Sequence, residues 1–414
     1  MDELANAFAG RTVLILIVGH LASAPRAQKE ARALRTAGAR VLVRGNWSNA
    51  DLVAEDQALA RELDVDFAAV TDLRRGTGRL ADRWRQRLAR EANRLGLVTG
   101  RVLGPGAPEL LREARRIRAD LTMVHSEPGL WVGRKLLEQG FRVGVDFEDW
   151  FSRDQLPSDR NASVRHALDV LERHMLAHAH CCLATTAAMS SALADHAGVG
   201  RTPTVVRNCF PALDVGDSAH GPRDPVQPGA TAFYWFSQTI GPGRGLEVLA
   251  AALPLLRGEW QLTLRGSIAG HRPWFERTFP AALRHRITCL DPVPNSELAM
   301  RTRSHQVGLA LEVPYCPNKD LTASNKIHEY LRAGLAVIAT RTRGQEEVMQ
   351  ASGGAGVLVE PGDSKALAAA MQRMLDDPGH LQACRAAASE AGRTVWDWSR
   401  QQPVLLAALA RALA

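Results

Sequence analysis

The feature that most constrains the fold is a repeated alternation of short apolar runs with longer helical patterns. Six such runs occur before residue 214 and six more follow residue 229, and most are separated by a helical pattern. Apolar runs of this length are typical of strands buried on both faces, and β–α alternation builds a parallel sheet covered by helices on both sides. The sequence therefore predicts an α/β chain with two doubly wound, Rossmann-like sheets.

The predicted elements form two series and a closing segment. The first series has strands at residues 13–18, 41–43, 121–125, 143–146, 181–184 and 204–207, with helices that include 26–37 and 164–177. The second has strands at 232–236, 261–264, 287–290, 307–311, 336–340 and 357–359, with helices that include 246–256, 296–302, 326–333 and 364–375. The closing segment, 399–414, is a helical pattern that no strand follows, and we expect it to cross back to the first domain.

A loop-like stretch separates the two series. Residues 214–229 carry three Pro and three Gly and have no periodic apolar pattern, which is typical of an inter-domain linker. We therefore expect domains at residues 1–213 and 230–395, followed by a closing helix at 396–414. Because doubly wound sheets bind ligands beyond the carboxyl ends of their strands, we expect a ligand cleft between the two domains.

The composition is that of a globular protein: 46% of the residues are hydrophobic and 23% are charged. No apolar stretch approaches the roughly 18 residues that span a bilayer, and the first residues do not resemble a secretory signal. The six cysteines include no CxxC pair, so we expect reduced thiols and a cytoplasmic location.

The net charge of +7 is concentrated in one segment. Residues 74–118 hold thirteen Arg and no Lys, against four acidic residues, and Leu80, Trp84, Leu88 and Leu95 recur there at helical spacing. Such a helix either packs its apolar stripe on the core or lies on an anionic membrane surface. Nucleic acid is not expected as a partner, because no nucleic-acid-binding motif accompanies the charge.

Two elements of the second series suit a nucleotide diphosphate. In the first, the run 233–236 leads into a glycine-rich turn with Gly241, Gly243 and Arg244, and a helix begins near Leu246. Backbone N–H groups at such a turn favour an anion, and Arg244 adds a permanent cation. The alternative is a tight turn that needs glycine only for its geometry.

The second element opens a helix near Lys326. Thr322 and Ser324 are suitable N-caps, and the helix should end at Gly334. Lys326 and Glu329 are three residues apart, so they share a face of the first turn. A first-turn Lys has the wrong sign for the helix dipole, which favours an anionic ligand over an exposed Lys–Glu pair of no consequence.

This second element resembles the signature of the family 4 retaining glycosyltransferases, which have the GT-B fold. Their segment S-x-K-I/L-x-E-Y-x-A-A-G-x-P-V-I/V-A-T holds the donor nucleotide. It is matched in order, without a gap, by Ser324, Lys326, Ile327, Glu329, Tyr330, Leu331, Ala333, Gly334, Val337, Ile338, Ala339 and Thr340. Downstream, Gly344 with Glu347 resembles the family's G-x-x-E turn, and residues 360–363 resemble its P-P-G-D helix start.

The resemblance implies roles for individual residues. Glu329 would bind the ribose hydroxyls, and Arg244 and Lys326 would lie near the diphosphate with the backbone around Gly241 and Gly243. Ser324 and Asn325 would contribute through their amides. The sequence departs from the family where the first glutamate of its paired-Glu motif is Leu321, and where the Arg of its diphosphate clamp falls at Thr239.

The first series resembles the acceptor side of the same family more loosely. Gly19, His20 and Arg26 resemble its first loop and helix. His125 and Glu127 stand where the family has V-H-x-H, with the second His replaced, and they are the candidate catalytic residues. Glu148 lies in a segment that resembles D-x-H-E.

The implied function is transfer of a sugar from a nucleotide-diphosphate sugar to a saccharide or lipid-linked acceptor in cell-surface polysaccharide or glycoconjugate synthesis. We expect no metal and no cofactor beyond the donor, since the sequence shows neither a DxD motif in the expected setting nor a His/Cys ligand cluster. A nucleotide-sugar epimerase of similar fold and a non-catalytic, membrane-docked relative remain open. A dinucleotide-dependent oxidoreductase is disfavoured, because no G-x-G-x-x-G follows the first strand.

Overall fold

The computed structural model describes residues 7–74, 99–156, 158–213 and 222–414, together with residues 84, 87–89 and 91–92. The chain divides into two compact units. The first contains the residues through Val206 and also Gln402–Ala414, and the second contains Arg207–Gln401.

The first unit is built on a seven-stranded sheet in which every strand pair is parallel, with the order β3-β2-β1-β4-β5-β6-β7. Its strands are β1 Thr12–Leu16, β2 Arg40–Trp47, β3 Asp66–Asp72, β4 Leu121–His125, β5 Val143–Phe147, β6 Cys181–Ala184 and β7 Thr204–Val205. Its helices are α1 Pro25–Thr36, α2 Val53–Glu62, α3 Gly100–Leu103, α4 Ala107–Ile117, α5 Ser126–Leu137, α6 Ala162–His178 and α7 Ala187–Ala197.

The order of this sheet reverses between β1 and β4. These two strands are neighbours, with Val13 opposite Leu121, and both are almost fully buried. The chain leaves β1 and β4 toward opposite sides of the reversal, so their carboxyl ends frame the crevice at which doubly wound sheets bind ligands.

The sequence patterns did not predict β3. Asp66–Asp72 has a half-buried pattern and begins and ends with an acidic residue. It lies at the edge of the sheet and pairs only with β2, and its acidic ends interrupt the apolar run that the predicted strands have.

The second unit is built on a six-stranded sheet, also parallel throughout, with the order β10-β9-β8-β11-β12-β13. Its strands are β8 Thr231–Thr239, β9 Trp260–Ser267, β10 Ile287–Leu290, β11 Val307–Ala310, β12 Ala336–Thr340 and β13 Gly356–Val359. Its helices are α8 Leu246–Ala252, α9 Arg272–Thr278, α10 Asn295–Thr302, α11 Pro317–Leu321, α12 Asn325–Ala333, α13 Arg343–Ala351, α14 Ser364–Asp376 and α15 Pro378–Thr394.

Each face of this second sheet has its own core, because side chains alternate along a strand. Phe233 and Trp235 of β8 pack into one apolar cluster, and Tyr234 between them packs into the other with Tyr330 of α12. The helix predicted at 246–256 ends at Ala252 and continues as the 3₁₀ turn Leu253–Leu255. Pro254 lacks the N–H that an α-helix would need there.

The last helix, α16 Trp398–Leu413, begins in the second unit, and its residues from Gln402 onward belong to the first. Leu405, Leu409 and Leu413 are buried, and Arg142 donates a hydrogen bond to the carbonyl oxygen of Ala412 at 3.0 Å. The predicted fold class, two doubly wound α/β sheets, is confirmed.

Parts of two sequence predictions lie outside the described residues. The first is the arginine-rich segment, of which most of residues 75–98, including Leu80 and Leu95, lies outside. The second is the linker, of which residues 214–221 lie outside. In the described part of the linker Asp224 is buried and pairs with Arg265 of β9 at 2.5 Å. Among the described helices, none has both the length and the apolarity to span a bilayer.

Candidate functional site

The site of the second unit forms where the strand order reverses, between β8 and β11. Gly245 ends the turn after β8 with a φ of 76°, and a Cβ on it would lie 2.2 Å from the carbonyl oxygen of Leu311. Only glycine allows both the left-handed backbone and this close approach. The turn after β8 therefore packs directly on the chain leaving β11.

Tyr330 fixes α12 on this edge of the sheet. Its hydroxyl donates to the carbonyl oxygen of Leu309 at 3.1 Å, and its ring covers Gly308 so closely that a Cβ there would lie 2.2 Å from ring carbon Cγ. Burial raises the pKa of Tyr330 well above its usual range, so the hydroxyl stays a donor. The beginning of α12 is thereby held beside the carboxyl end of β11.

Lys326, in the first turn of α12, contacts residues from both strands at the reversal. Its Nζ lies 2.6 Å from Oε1 of Glu312, which follows β11, and 5.8 Å from the ring centroid of Trp235 in β8. Burial raises the pKa of Glu312, but the Lys326 charge and hydrogen bond outweigh burial, and the net shift is downward. The pair is therefore an ammonium and a carboxylate in a partly desolvated setting.

Glu329 lies one turn further along α12 and is 3% exposed. Its Oε1 is 3.4 Å from Nη1 of Arg332, whose guanidinium stacks over the ring of Phe210 at 5.7 Å. Lys326 and Glu329 therefore each have a partner other than one another. The alternative of an exposed Lys–Glu pair is wrong, because Glu329 is buried and Lys326 is paired with Glu312.

The capping expected before α12 is only partly present. Ser324 is the N-cap residue by position, but its side chain accepts no cap hydrogen bond and instead lies 3.5 Å from Gln345. The prediction that Thr322 caps α12 is wrong, since its hydroxyl donates back to the carbonyl oxygen of Asn318 in α11. Asn325 accepts a hydrogen bond from Asn208 at 2.7 Å.

Two polar groups of the glycine-rich turn already have hydrogen-bond partners nearby. The N–H of Gly243 donates to Glu247 at 2.9 Å, and Nη1 of the exposed Arg244 donates to the hydroxyl of Ser237 at 2.8 Å. Gly241 lies against the ring of His271. An anion at this turn would thus compete with Glu247 for the Gly243 amide.

A small cavity of about 70 Å³ lies at the same edge of the second sheet. Its walls include Gly245, Glu312 and Thr340, and also Pro361 and Gly362 of the segment that resembles P-P-G-D. The carboxyl ends of β11, β12 and β13 and the turn after β8 therefore converge there, as the resemblance implies for a donor site.

The first unit places a group of charged side chains at its own reversal point. His125 ends β4, with its Nδ1 2.5 Å from Glu148 Oε1 and its Nε2 2.9 Å from Glu30 Oε2. His125 and Glu30 are each at most 3% exposed, whereas the Glu148 side chain is 38% exposed. A histidine with a carboxylate at each ring nitrogen is built to donate two hydrogen bonds.

The protonated form of this histidine is stabilised by its neighbours. Burial lowers the pKa of His125, but the hydrogen bonds and charges of Glu148 and Glu30 outweigh burial and hold the pKa well above its ordinary value. Burial raises the pKa of Glu148, but the hydrogen bond and charge of His125 lower it by more, so the net shift is downward. The group is an imidazolium between two carboxylates.

Arg26 extends this group from α1. Its Nε donates to Asp146 of β5 at 2.5 Å and its Nη1 donates to the carbonyl oxygen of Val206 at 2.8 Å. Arg26 and Glu30 are four residues apart on α1, so both reach the strand ends from one helix face. We call Arg26, Glu30, His125, Asp146 and Glu148 the charge cluster.

The structure separates Glu127 from His125. Glu127 pairs with Arg160 at 2.5 Å, and burial raises its pKa more than Arg160 lowers it. Between the two lies Ser126, a non-glycine residue with a φ of 67° whose hydroxyl donates to the carbonyl oxygen of His125. Glu148, rather than Glu127, is the carboxylate brought to His125 from beyond β4.

His20 is bound on both ring nitrogens by its own loop. Nδ1 is 2.7 Å from Asp56, and Nε2 accepts the N–H groups of Ser48 and Asn49 at 3.0 and 2.9 Å. The preceding Gly19 accepts the N–H of Asn46 through its carbonyl oxygen. His20, in the loop after β1, is therefore hydrogen-bonded to the loop after β2.

A metal ion has one possible ligand set among the described residues. Single ligand atoms of Glu30, His125 and Asp146 lie within 4.8 Å of one another. However, the Nε of Arg26 already binds Asp146, and His125 favours its protonated form. A cation would have to displace that proton and share Asp146 with a guanidinium.

Sequence reasoning assigned no role to four residues that complete these groups. Glu30 and Asp146 hold His125 and Arg26, while Glu312 and Trp235 hold Lys326. One signal was available: Arg26 and Glu30 stand four apart on a helix whose other core-facing residues include Ala27 and Leu34.

Residues 233–377 match the family model described as Glycosyl transferases group 1. Sucrose-phosphate synthase from Thermosynechococcus elongatus has a similar structure, at 15% identity and a TM-score of 0.69, over 95% of this chain and 96% of that one. The structure of Anabaena Alr3699/HepE in complex with UDP-glucose is also similar, at 14% sequence identity and a TM-score of 0.68. The match covers 96% of this chain and 99% of that one. A comparison with curated proteins finds no match.

A third structure with the same fold is the lipopolysaccharide outer core galactosyltransferase WaaB in its apo form. It shares 10% identity and a TM-score of 0.59, over 96% of this chain and 99% of that one. The fold is the GT-B type. The second unit therefore carries the match to the group 1 glycosyltransferases, and the whole chain has the fold of these three structures.

Proposed function

We propose that this protein is a glycosyltransferase that moves a sugar from a nucleotide-diphosphate donor, held by its second unit, to a saccharide or lipid-linked acceptor. The observation that carries the proposal is the position of Lys326, which opens α12 at the point where the strand order reverses. Trp235 and Glu312 hold it there. Lys326 is a cation beside a helix N-terminus, an arrangement that suits a pyrophosphate.

In this proposal the donor contacts are divided among four groups. Lys326 and Arg244 face the diphosphate, Glu329 accepts hydrogen bonds from the ribose hydroxyls, and the turn with Gly241 and Gly243 lies along the phosphates. The backbone of Ser324 and Asn325 provides further donors. Solved structures of Alr3699/HepE contain UDP or UDP-glucose, so uridine nucleotides are the first donors to test.

The charge cluster supplies the acceptor side in our proposal. The imidazolium of His125 donates its two hydrogen bonds to Glu30 and Glu148 and contributes positive charge at the end of β4. Glu127, with its raised pKa, is the carboxylate that we assign to the sugar or to the acceptor hydroxyl. Gly19, His20 and Arg26 shape the same strand ends.

We infer that transfer retains the anomeric configuration and needs no metal. As the leaving diphosphate gains charge, Lys326 and Arg244 provide the electrostatic stabilisation that a metal provides in other transferases. Activity that is unchanged by EDTA would support this inference. Loss of activity restored by a divalent cation would contradict it.

We also propose that the enzyme acts at the inner membrane surface, in synthesis of a cell-surface polysaccharide or glycoconjugate. The support is the Arg-rich sequence of residues 74–118, in which the described Trp84 and Leu88 are 61% and 66% exposed. Vesicle flotation with and without anionic lipid tests this. Arg→Glu changes in 74–118 that leave flotation unaltered would contradict it.

The central experiment is a thermal-shift screen of the full chain against nucleoside diphosphates and their sugars. A ligand bound only by the folded protein raises the melting temperature by mass action. We expect one nucleotide class to raise it and Glu329→Ala to abolish that rise. Release of free nucleoside diphosphate in the presence of an acceptor then reports transfer. A stabilising nucleotide that acts equally on Glu329→Ala would contradict the site.

A further inference from the structure

Glu172 is a buried carboxylate to which the proposed function gives no role. It lies on α6 and is 0% exposed. Five other carboxylates among the described residues are buried, and each lies within 3.4 Å of a basic side chain: Glu30, Asp56, Asp146, Asp224 and Glu329. Glu172 forms no such ion pair within the described part of the chain, so another interaction has to account for its burial.

The interaction that Glu172 makes is with the backbone of a neighbouring turn. Its Oε1 accepts the N–H of Ser152, in the 3₁₀ turn Phe151–Arg153, at 2.8 Å. Burial raises the pKa of Glu172 to about 7, and the hydrogen bonds from Ser152 lower it by less. An apolar side chain would avoid this cost of burial, but it would leave the buried N–H of Ser152 without an acceptor. A carboxylate at this position is therefore explained by the turn that it holds.

The same turn is attached at two further points. Nη2 of Arg153 lies 3.0 Å from Oδ1 of Asp169, which is on the same helix as Glu172. Nη1 of Arg160 donates to the carbonyl oxygen of Phe151 at 2.9 Å. The turn is thus joined to α6 through two acidic residues and to Arg160 through a backbone carbonyl.

Arg160 connects the turn to a candidate catalytic residue. While its Nη1 binds Phe151, its Nη2 lies 2.5 Å from Oε1 of Glu127, and the Arg160 side chain is only 11% exposed. One rigid, planar guanidinium therefore makes both contacts. A shift of the turn would move Arg160 relative to Glu127.

We propose that Glu172 is a positioning residue, which fixes the turn Phe151–Arg153 and thereby holds Arg160 against Glu127. This inference rests on the role in sugar transfer that is proposed above for Glu127. Glu172 is fully buried and acts only through Ser152, the turn and Arg160. Because a displacement of about 1 Å at a reacting group can lower a rate up to about a hundredfold, such a connection affects catalysis without touching the substrate.

The test compares Glu172→Ala, which removes the acceptor, with Glu172→Gln, whose amide oxygen still accepts the Ser152 N–H. In crystal structures of the two variants we expect the contact between Arg160 and Glu127 to open beyond about 4 Å in Glu172→Ala and to persist in Glu172→Gln. With UDP-glucose as the donor probe, release of UDP should show a kcat about tenfold lower for Glu172→Ala. The KM for UDP-glucose should not change, because the donor is held by the second unit. Glu172→Gln should retain the parental kcat.

The matched control is Leu176→Ala, which opens a cavity one turn further along α6 and removes no hydrogen bond to the turn. It should lower the melting temperature but leave kcat unchanged when all variants are assayed well below their melting temperatures. An equal loss of kcat in Leu176→Ala would overturn the proposal. A Glu172→Ala variant that keeps either the Arg160–Glu127 contact or the parental kcat would also overturn it.

A double variant tests the order of the connection. Adding Glu172→Ala to Arg160→Gln should lower kcat no further, because the connection to Glu127 is already broken, and additive losses would contradict the proposal. Glu127→Gln separates this inference from the function on which it rests. A parental kcat in Glu127→Gln would overturn the role of Glu127 and the inference with it. A slow Glu127→Gln beside an unaltered Glu172→Ala would overturn the inference alone.

Discussion

The two sheets place charged residues at equivalent strand reversals but bind them differently. In the first unit the charge cluster is bound mainly to itself, with two carboxylates on His125 and another on Arg26. In the second unit Lys326 and Glu329 lie on one short helix, where Lys326 pairs with Glu312 and Glu329 with Arg332. We infer that the cluster contributes chiefly to stability and position, whereas α12 keeps charges available for a ligand.

The largest expected effect is on stability in the first unit. His125→Ala leaves Glu30 buried without its cation, which should lower the free energy of unfolding by about 3–5 kcal/mol. Urea unfolding of the full chain measures this. His166→Ala, an exposed histidine on α6, is the control and should change little. A loss below about 1 kcal/mol at His125 would show that the cluster does not stabilise the fold.

The second prediction concerns ligand binding in the second unit. Glu329→Ala should weaken binding of the preferred nucleotide about 10- to 100-fold, because hydrogen bonds from ribose hydroxyls to a carboxylate are charge-assisted. Calorimetry with the nucleotide found in the thermal screen measures the change, and Glu390→Ala on α15 is the control. If Glu329→Ala destabilised the fold strongly yet bound nucleotide normally, the contrast between the two units would be reversed.

The strands were accessible to sequence reasoning because burial on both faces leaves a continuous apolar run. β4, β6, β10 and β12 were predicted with the ends that the structure gives them. Edge strands β3 and β10 are both only partly buried, but β10 keeps a short, mostly apolar run, whereas β3 begins and ends with an acidic residue. Local pattern therefore sufficed wherever a strand keeps a mostly apolar run.

The site was predictable only where one short segment carries it. Ser324, Lys326 and Glu329 lie within six residues and match a family signature, so α12 could be recognised. The partners of His125 could not, because Glu30 is 95 residues away along the chain and reaches it only through the order of the sheet. Ion pairs between distant elements depend on packing that no local pattern encodes.

A third prediction concerns how the stability contributed by His125 in the first unit depends on pH. The pKa of His125 is raised in the folded state, so the folded protein holds a proton that the unfolded chain releases near pH 6.5. The stabilisation is complete below that pH and declines as pH rises toward the folded-state pKa, with a slope of up to about 1.4 kcal/mol per pH unit. Unfolding from pH 6 to 9 measures it. His125→Gln should flatten the profile, and an unchanged slope would exclude His125 as its source.

The smallest expected effect is at the partner of Lys326. Glu312→Gln removes the carboxylate that competes with a diphosphate for Nζ, so affinity for the nucleotide should rise about two- to tenfold. Calorimetry checks the direction, with Asp320→Asn, the partner of Arg343, as the matched control. A fall in affinity would mean that Glu312 orients Lys326 for the ligand rather than competing with it.

The path of α16 has a consequence for biosynthesis. The strands of the first sheet are all translated before residue 206, but the stretch Gln402–Ala414, in which Leu405 and Leu409 are buried, is translated only after the second unit. The apolar surface of the nascent first unit that contacts this stretch therefore stays exposed until nearly two hundred further residues have been translated. A fragment that stops at Val206 should aggregate, and adding residues 402–414 as a separate peptide should restore its solubility.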